Sequence, residues 1–351
     1  MSTNTRTRTA PGRRAAAAGA LLITAATAVA LPPAAFAATA GGSGLSVHTG
    51  ATTAPERARI DAYWTPDRMR LAGALIPEIT PVPEDDHTPA DPRPLPADTP
   101  DPGAVWTHGG AVERSVGRLF FTFSDGYDGS CTAHGGHRPE PLHRRHRPRT
   151  ACAVPVRRAA ADTWRHNLYF VPGYRNGSKP LGGFSVAVMA TSSAWDTAAT
   201  SDEAALGGHD AATAVLNRSA DGRRVADVTG SQRIAFSPPR EGEFTHAFGY
   251  PKDRLNNPEG KYTGSRMIHC AGPVRTSPAA PPLRGTTCDM SHGASGGPQF
   301  AAFDTRTGTG TVVGVTTTTE ELAGGLPGTL YATALGDAAR QLYDWARYLP
   351  S

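Results

Sequence analysis

From Val116 onward the chain is divided into short runs rich in Val, Phe, Tyr and Thr, each ended by Gly-, Pro- or Asn-bearing turns. The runs are Val116–Phe123, Leu168–Val171, Phe184–Met189, Ala212–Leu216, Thr245–Tyr250 and Thr309–Thr319. β-branched and aromatic side chains suit a pleated, half-buried surface, and runs this short cannot sustain helices. Only Leu335–Tyr348 keeps a helical pattern at length. With 39 Gly and 31 Pro among 351 residues, turns recur often enough for a many-stranded fold. Residues 116–351 are expected to form a mostly β domain of barrel or sandwich size.

The preceding third is different. Residues 1–37 carry Arg6, Arg8, Arg13 and Arg14, no acid, the uncharged stretch Ala15–Ala30, and end in Ala35-Phe36-Ala37. That order of basic, apolar and small residues is expected of a secretory signal peptide, residues 1–37, and predicts a secreted, extracellular protein with no membrane attachment after cleavage. A membrane anchor is the alternative reading. The remaining 31 basic residues balance 31 acidic ones, so no basic surface points to nucleic acid. Residues 38–111 read as a pro-segment and linker. Helical spacing runs through Ala54–Ala72, with a second helix start at Thr65-Pro66, and residues 77–102 then hold nine prolines and seven acids. A second processing cut is expected within residues 95–115. Export permits disulfides, and the pairs Cys131/Cys152 and Cys270/Cys288 predict two bridges. No C-x-x-C pair suggests a metal, and no cofactor is expected.

Chemistry concentrates in Cys288-Asp-Met-Ser-His-Gly-Ala-Ser-Gly-Gly-Pro298. Glycines on both sides of Ser295 allow a sharp bend that exposes its hydroxyl while the amides of Gly293 and Ser295 point at one spot, where an oxyanion can sit. The same residues satisfy G-x-S-x-G, but that elbow leads into a helix and takes its histidine from downstream. Here no histidine follows His292, and Pro298 and Phe300 begin a strand pattern. The order left is histidine, acid, serine. Upstream, Asp210 stands at the mouth of the apolar run Ala212–Leu216, the setting for a buried carboxylate that orients an imidazole; Asp196, Asp202 and Asp221 lie in more polar, turn-like stretches.

On these residues the chain resembles the secreted trypsin-like serine peptidases of bacteria, the branch that includes the glutamyl endopeptidases. Tyr169-Phe-Val-Pro-Gly-Tyr-Arg-Asn-Gly177, Phe248-Gly-Tyr-Pro251 and Thr309-Gly-Thr-Val-Val-Gly-Val315 extend the resemblance over most of residues 112–345. It implies an all-β fold of two antiparallel β-barrels of the chymotrypsin type with a C-terminal helix, the peptidase domain being residues 112–351. It implies a monomeric endopeptidase acting on a protein or peptide substrate, with Ser295 as nucleophile, Asp210 as orienting acid, and Gly293 and Ser295 as oxyanion donors. Two departures stand out. Ala294 occupies the position where animal zymogens carry the aspartate that captures a freed N-terminus. The family's general base immediately precedes a cysteine, and Thr150-Ala151-Cys152 puts Ala151 in its place.

His134, His137, His143 and His146 lie nearby as substitute bases, as solvated residues, as a polyanion-binding loop, or as metal pairs that Pro139, Pro141 and Pro148 discourage. His, Arg and Pro make up half of Thr132–Ala161. One set of synonymous codons for Pro148–Cys152, read in another frame, spells Ala-His-Cys-Val. A local frame change is therefore expected here, with the chain as written catalytically crippled; the alternative is a non-catalytic secreted protein that uses the fold for binding. Asp289, six residues before Ser295, is a candidate for the base of a specificity pocket or for a structural role beside Cys288. Val312–Thr319 has no histidine, so glutamate preference is not expected.

Overall fold

A computed structural model of the chain describes residues 44–73, 99–135, 137–139, 165–197, 207–252, 262–278, 280–320 and 328–349. It begins with strand β1 (Leu45–Thr49) and helices α1 (Ala54–Tyr63) and α2 (Pro66–Leu71). Next come β2 (Asp101–Val105), α3 (Gly110–Ser115), and β3 (Val116–Thr122) with β4 (Asp128–His134). Then follow β5 (His137–Pro139), β6 (His166–Pro172), β7 (Phe184–Ser192), α4 (Ser193–Thr197), β8 (Ala212–Leu216) and α5 (Val225–Thr229). The second half runs through β9 (Gln232–Ile234), β10 (Phe244–Gly249), β11 (Ile268–Pro273), β12 (Arg275–Thr276) and β13 (Leu283–Thr287). It ends with β14 (Pro298–Asp304), β15 (Thr309–Glu320), β16 (Thr329–Ala334) and α6 (Asp337–Arg347).

The strands form two curled sheets, antiparallel except where β9 pairs in parallel with β5 and β15. The first has the order β1-β7-β6-β3-β4, with β8 on the other edge of β7; the second runs β12-β13-β16-β15-β14-β10-β11-β2. The expected pair of antiparallel barrels with a C-terminal helix is what the fold shows. All six runs read as strands are strands, lengthened or trimmed by a few residues at their ends.

Every residue of β3 is buried, and the reason lies in the two faces of the strand. Leu119 and Phe121 point into barrel 1 with Phe170, Phe184 and Leu216. Val116 and Phe120 point outward, into a second apolar cluster that includes Trp64 and Met69. The segment expected to be removable is thus packed on the domain. Thr53 and Glu56 form a reciprocal cap at the start of α1, and Thr65 caps α2 with Pro66 in the first turn. The backbone bonds to Glu56 hold its carboxyl down at about 2.

β2 also begins within the proline-rich stretch rather than after it. Its residues pair with β11 at Val105↔Ile268, Ala104↔His269 and Asp101↔Ala271. As the outermost strand of its sheet it can hold Pro102, which has no amide to donate.

Candidate active site

Ser295 sits in the turn between β13 and β14. Behind it Cys288 is bridged to Cys270 of β11, as the sequence led us to expect, and Met290 and Ala294 are buried. Gly293 and Gly296 adopt φ of +94° and +86°, a region that side chains disfavour. These two positions give the bend around Ser295 its shape. Ala294 N donates to Ser291 O (3.0 Å) and Gly297 N to Ala294 O (2.9 Å), closing the turn on itself. The amides of Gly293 and Ser295 have no backbone acceptor among the described residues.

Barrel 1 holds this turn through Thr132 of β4. Its amide donates to Ser295 O (3.0 Å), its hydroxyl donates to Gly293 O (2.8 Å) and accepts from Tyr250 N (2.8 Å). Lys252 N adds a bond to His292 O (2.7 Å). The sequence reading missed Thr132. Its strand reads Asp-Gly-Ser-Cys-Thr-Ala-His, too polar for one more hydroxyl to stand out, so no local pattern marked it.

On the far side, Gly296 N donates to Thr316 O and Thr316 N to Gly297 O, both 2.8 Å. The next residue, Thr317, is the extra residue of a bulge: Thr316 faces Ala332 and Thr318 faces Tyr331 on β16. A bulge re-aims the side chain of its unpaired residue. Thr317 Oγ1 donates to Asp210 Oδ2. Asp210 is partly buried at the entrance to β8, in a segment anchored to β7 by Thr191 Oγ1 donating to Ala211 O (3.1 Å). One strand therefore connects the turn that carries Ser295 to the carboxylate read from the sequence as its acid.

Other sequence-derived candidates fall elsewhere. Ala151 and Cys152 lie outside the described residues, as do His143, His146, Asp202 and the stretch assigned to a frame change, apart from its first residues. His134 is buried at the end of β4 and lines a cavity of about 20 Å³ with Ala211, Ala212, Val315, Leu335 and Ala339. Asp289 is 4% exposed, accepts from Tyr262 Oη (2.9 Å), and its amide donates to Pro102 O of β2 (2.7 Å). Cys131 is a correction: it is a free, buried thiol, not half of a Cys131–Cys152 bridge. Its side chain points into the apolar interior of barrel 1, and burial pushes the thiol up to about 12, where it is neither a ready nucleophile nor a ready partner in exchange.

No family model matches the chain, and no curated protein matches it. Among solved structures it is similar to the protease Anisep from Arthrobacter nicotinovorans, with a TM-score of 0.54 and 24% identity over 67% of this chain and 96% of that one. It is also similar to the thermostable serine protease AL20 from an extremophilic microorganism, with a TM-score of 0.53 and 24% identity over 68% of this chain and all of that one. The fold is the chymotrypsin-like two-barrel fold. At this identity the likeness is one of fold, and about a third of the present chain lies outside it.

Proposed function

We propose that this chain is built as a secreted serine endopeptidase whose nucleophile is Ser295, and that as written it lacks its general base. The observation that carries the reading is the link from Asp210 through Thr317 to the strand that holds Gly296 and Gly297. A carboxylate and a serine brought to one strand from two barrels are what a triad requires, each at a fixed distance from an imidazole between them. The amides of Gly293 and Ser295, which have no backbone acceptor among the described residues, support a site for the oxyanion of a tetrahedral intermediate. In such a site Ser295 Oγ attacks the substrate carbonyl, the imidazole takes its proton and later returns it to the leaving amine, and Asp210 stabilises the imidazolium. With Ala151 in the base position the first proton has no acceptor. Loss of that member of a triad costs about 10⁶ in turnover. The Cys270–Cys288 bridge is consistent with export, and the resemblance of the serine motif supports a peptide substrate without choosing the branch or the specificity.

A fluorophosphonate probe tests this directly. The chain as written should label only slowly, and a chain carrying the alternative frame over residues 132–161 should label and cleave peptides about 10⁴-fold faster or more, in both cases only with Ser295 intact. A restored chain that is folded and bridged yet stays unlabelled would identify a binding module. Full activity of the chain as written, lost in His134→Ala or His143→Ala, would overturn the missing base.

A further inference from the structure

Residues 44–73 are bound to barrel 1 by more than contact. Trp64 and Met69 are fully buried, the Trp64 ring lies 5.2 Å from Phe120, and Trp64 Nε1 donates to Asn167 O (2.7 Å). β1 pairs with β7 from Leu45↔Ser192 to Thr49↔Val188, and Asn217 Nδ2 donates to Ala51 O (2.9 Å). Tyr63 Oη and Arg68 Nη1 both reach the Asp128 carboxylate, at 2.8 and 2.9 Å.

The decisive group is Arg118, a charged side chain 1% exposed in the middle of β3. A buried cation is costly unless its N–H groups are met. Nε has no hydrogen-bond partner, and the carbonyls that meet the two terminal nitrogens belong to the segment: Arg118 Nη1 donates to Met69 O (3.4 Å) and Nη2 to Ala72 O (3.2 Å), at the C-terminal end of α2, where backbone carbonyls are left over by the helix. Ser130 Oγ, which accepts from Arg118, donates to the same Ala72 O (3.3 Å). Gly73 N then donates to Asp128 O (2.8 Å), and Gly73 lies beside the Lys252 ammonium, which would have to swing away to admit a side chain there. Ser130 is two residues from Thr132, and Lys252 is the residue whose amide holds His292 O. The segment ends against both supports of the serine turn.

We propose that residues 44–73 are a retained lobe of the folded domain, held without a covalent link when the chain is cut between residues 74 and 98, and that the lobe fixes β4 where it supports the Ser295 turn. The partner surface is the outer face of β3 and β6. Arg118, Phe120 and Tyr169 meet there a peptide with a buried tryptophan and helix-end carbonyls that accept from Arg118. Without the lobe Arg118 loses two acceptors and Phe120 the Trp64 ring, keeping Tyr174. The proposal needs no catalysis, so it stands or falls apart from the peptidase reading.

The test is the full chain with a recognition sequence for a site-specific protease placed between residues 84 and 88. After cutting, the lobe should co-elute with the larger fragment on native gel filtration and separate only in denaturant. Release under native conditions, with the thermal midpoint of the larger fragment unchanged, would overturn retention. In a second arm the cut Trp64→Ala protein should lose its lobe at least ten-fold faster, and the amides of Thr132, Tyr250 and Lys252 should then exchange at least ten-fold faster. Unchanged exchange after the lobe has left would overturn its role in holding the serine turn.

Discussion

The two barrels keep their shape by different means. In barrel 2 the strands β13-β16-β15-β14-β10-β11 form a continuous path, and Cys270 on β11 is bridged to Cys288 just beyond β13, so the disulfide joins the two flanks of the curl. In barrel 1, β4 and β8 each have a single strand partner among the described residues, and part of the covering of β3 and β6 comes from the lobe that precedes the proline-rich stretch. The contrast bears on chemistry, because the serine turn belongs to the second barrel and Asp210 to the first. A covalent seam fixes one partner of the site; a docked peptide steadies the barrel that carries the other. The difference is open to attack from either side.

The largest effect is expected at the seam. Removing the bridge in Cys270→Ser/Cys288→Ser frees a loop with a sequence separation of 18 in the unfolded chain. By the loop-entropy relation this costs about 3 kcal/mol. Denaturant unfolding should show the loss, with exchange quickening in β11 and β13 and staying slow in β3 and β6. An equal loss of protection in both barrels would mean that they are not separately held.

A smaller effect separates the barrels by pH. His246 and His269 stack in barrel 2, with His246 Nδ1 2.8 Å from His269 Nε2 and the Asp101 carboxylate 3.7 Å from the other nitrogen of His269. Burial, reinforced by His269, pushes His246 down to about 3. The unfolded chain takes up a proton here near pH 6.5 and the folded one does not, so stability is present above pH 6.5 and is lost as pH falls toward 3. Between pH 6.5 and 4.5 the loss is about 2 kcal/mol, in a window above most carboxylate titration. Thermal unfolding in His246→Phe should lose this slope. A slope that persists there would move its source to another histidine.

Much of this was legible in order along the chain. Strand positions followed from β-branched runs and turn residues, and the serine turn from its glycines, because both are local patterns. The position of Asp210 at the entrance to β8 followed from the apolar run after it, and the pairing of Cys270 with Cys288 from spacing. The lobe was not, since Ile60, Trp64 and Met69 are spaced among exposed polar residues and their burial depends on a face of β3 far along the sequence. Arg118 hid for the same reason: its partners are backbone carbonyls, which no side-chain pattern announces. Cys131 misled because proximity in sequence says nothing of which side of a strand a thiol faces.

The smallest effect sharpens the comparison most, because Thr132 is where the barrels meet at the site. Its hydroxyl both accepts from Tyr250 N and donates to Gly293 O, and the residue is fully buried. Thr132→Val keeps the shape and removes both bonds, leaving a buried amide and a buried carbonyl each short of one partner. Such a loss costs about 1–2 kcal/mol. Thr132→Ser keeps the hydroxyl and should recover most of it, which separates the bond from the packing. If this bond couples the barrels, the single unfolding transition of the parent should broaden or split in the valine variant, barrel 1 opening first because its seam is not covalent. A transition that stays sharp, with a loss under about 0.5 kcal/mol, would put the coupling elsewhere, in the shared apolar cluster of Phe120, Tyr174 and Tyr250.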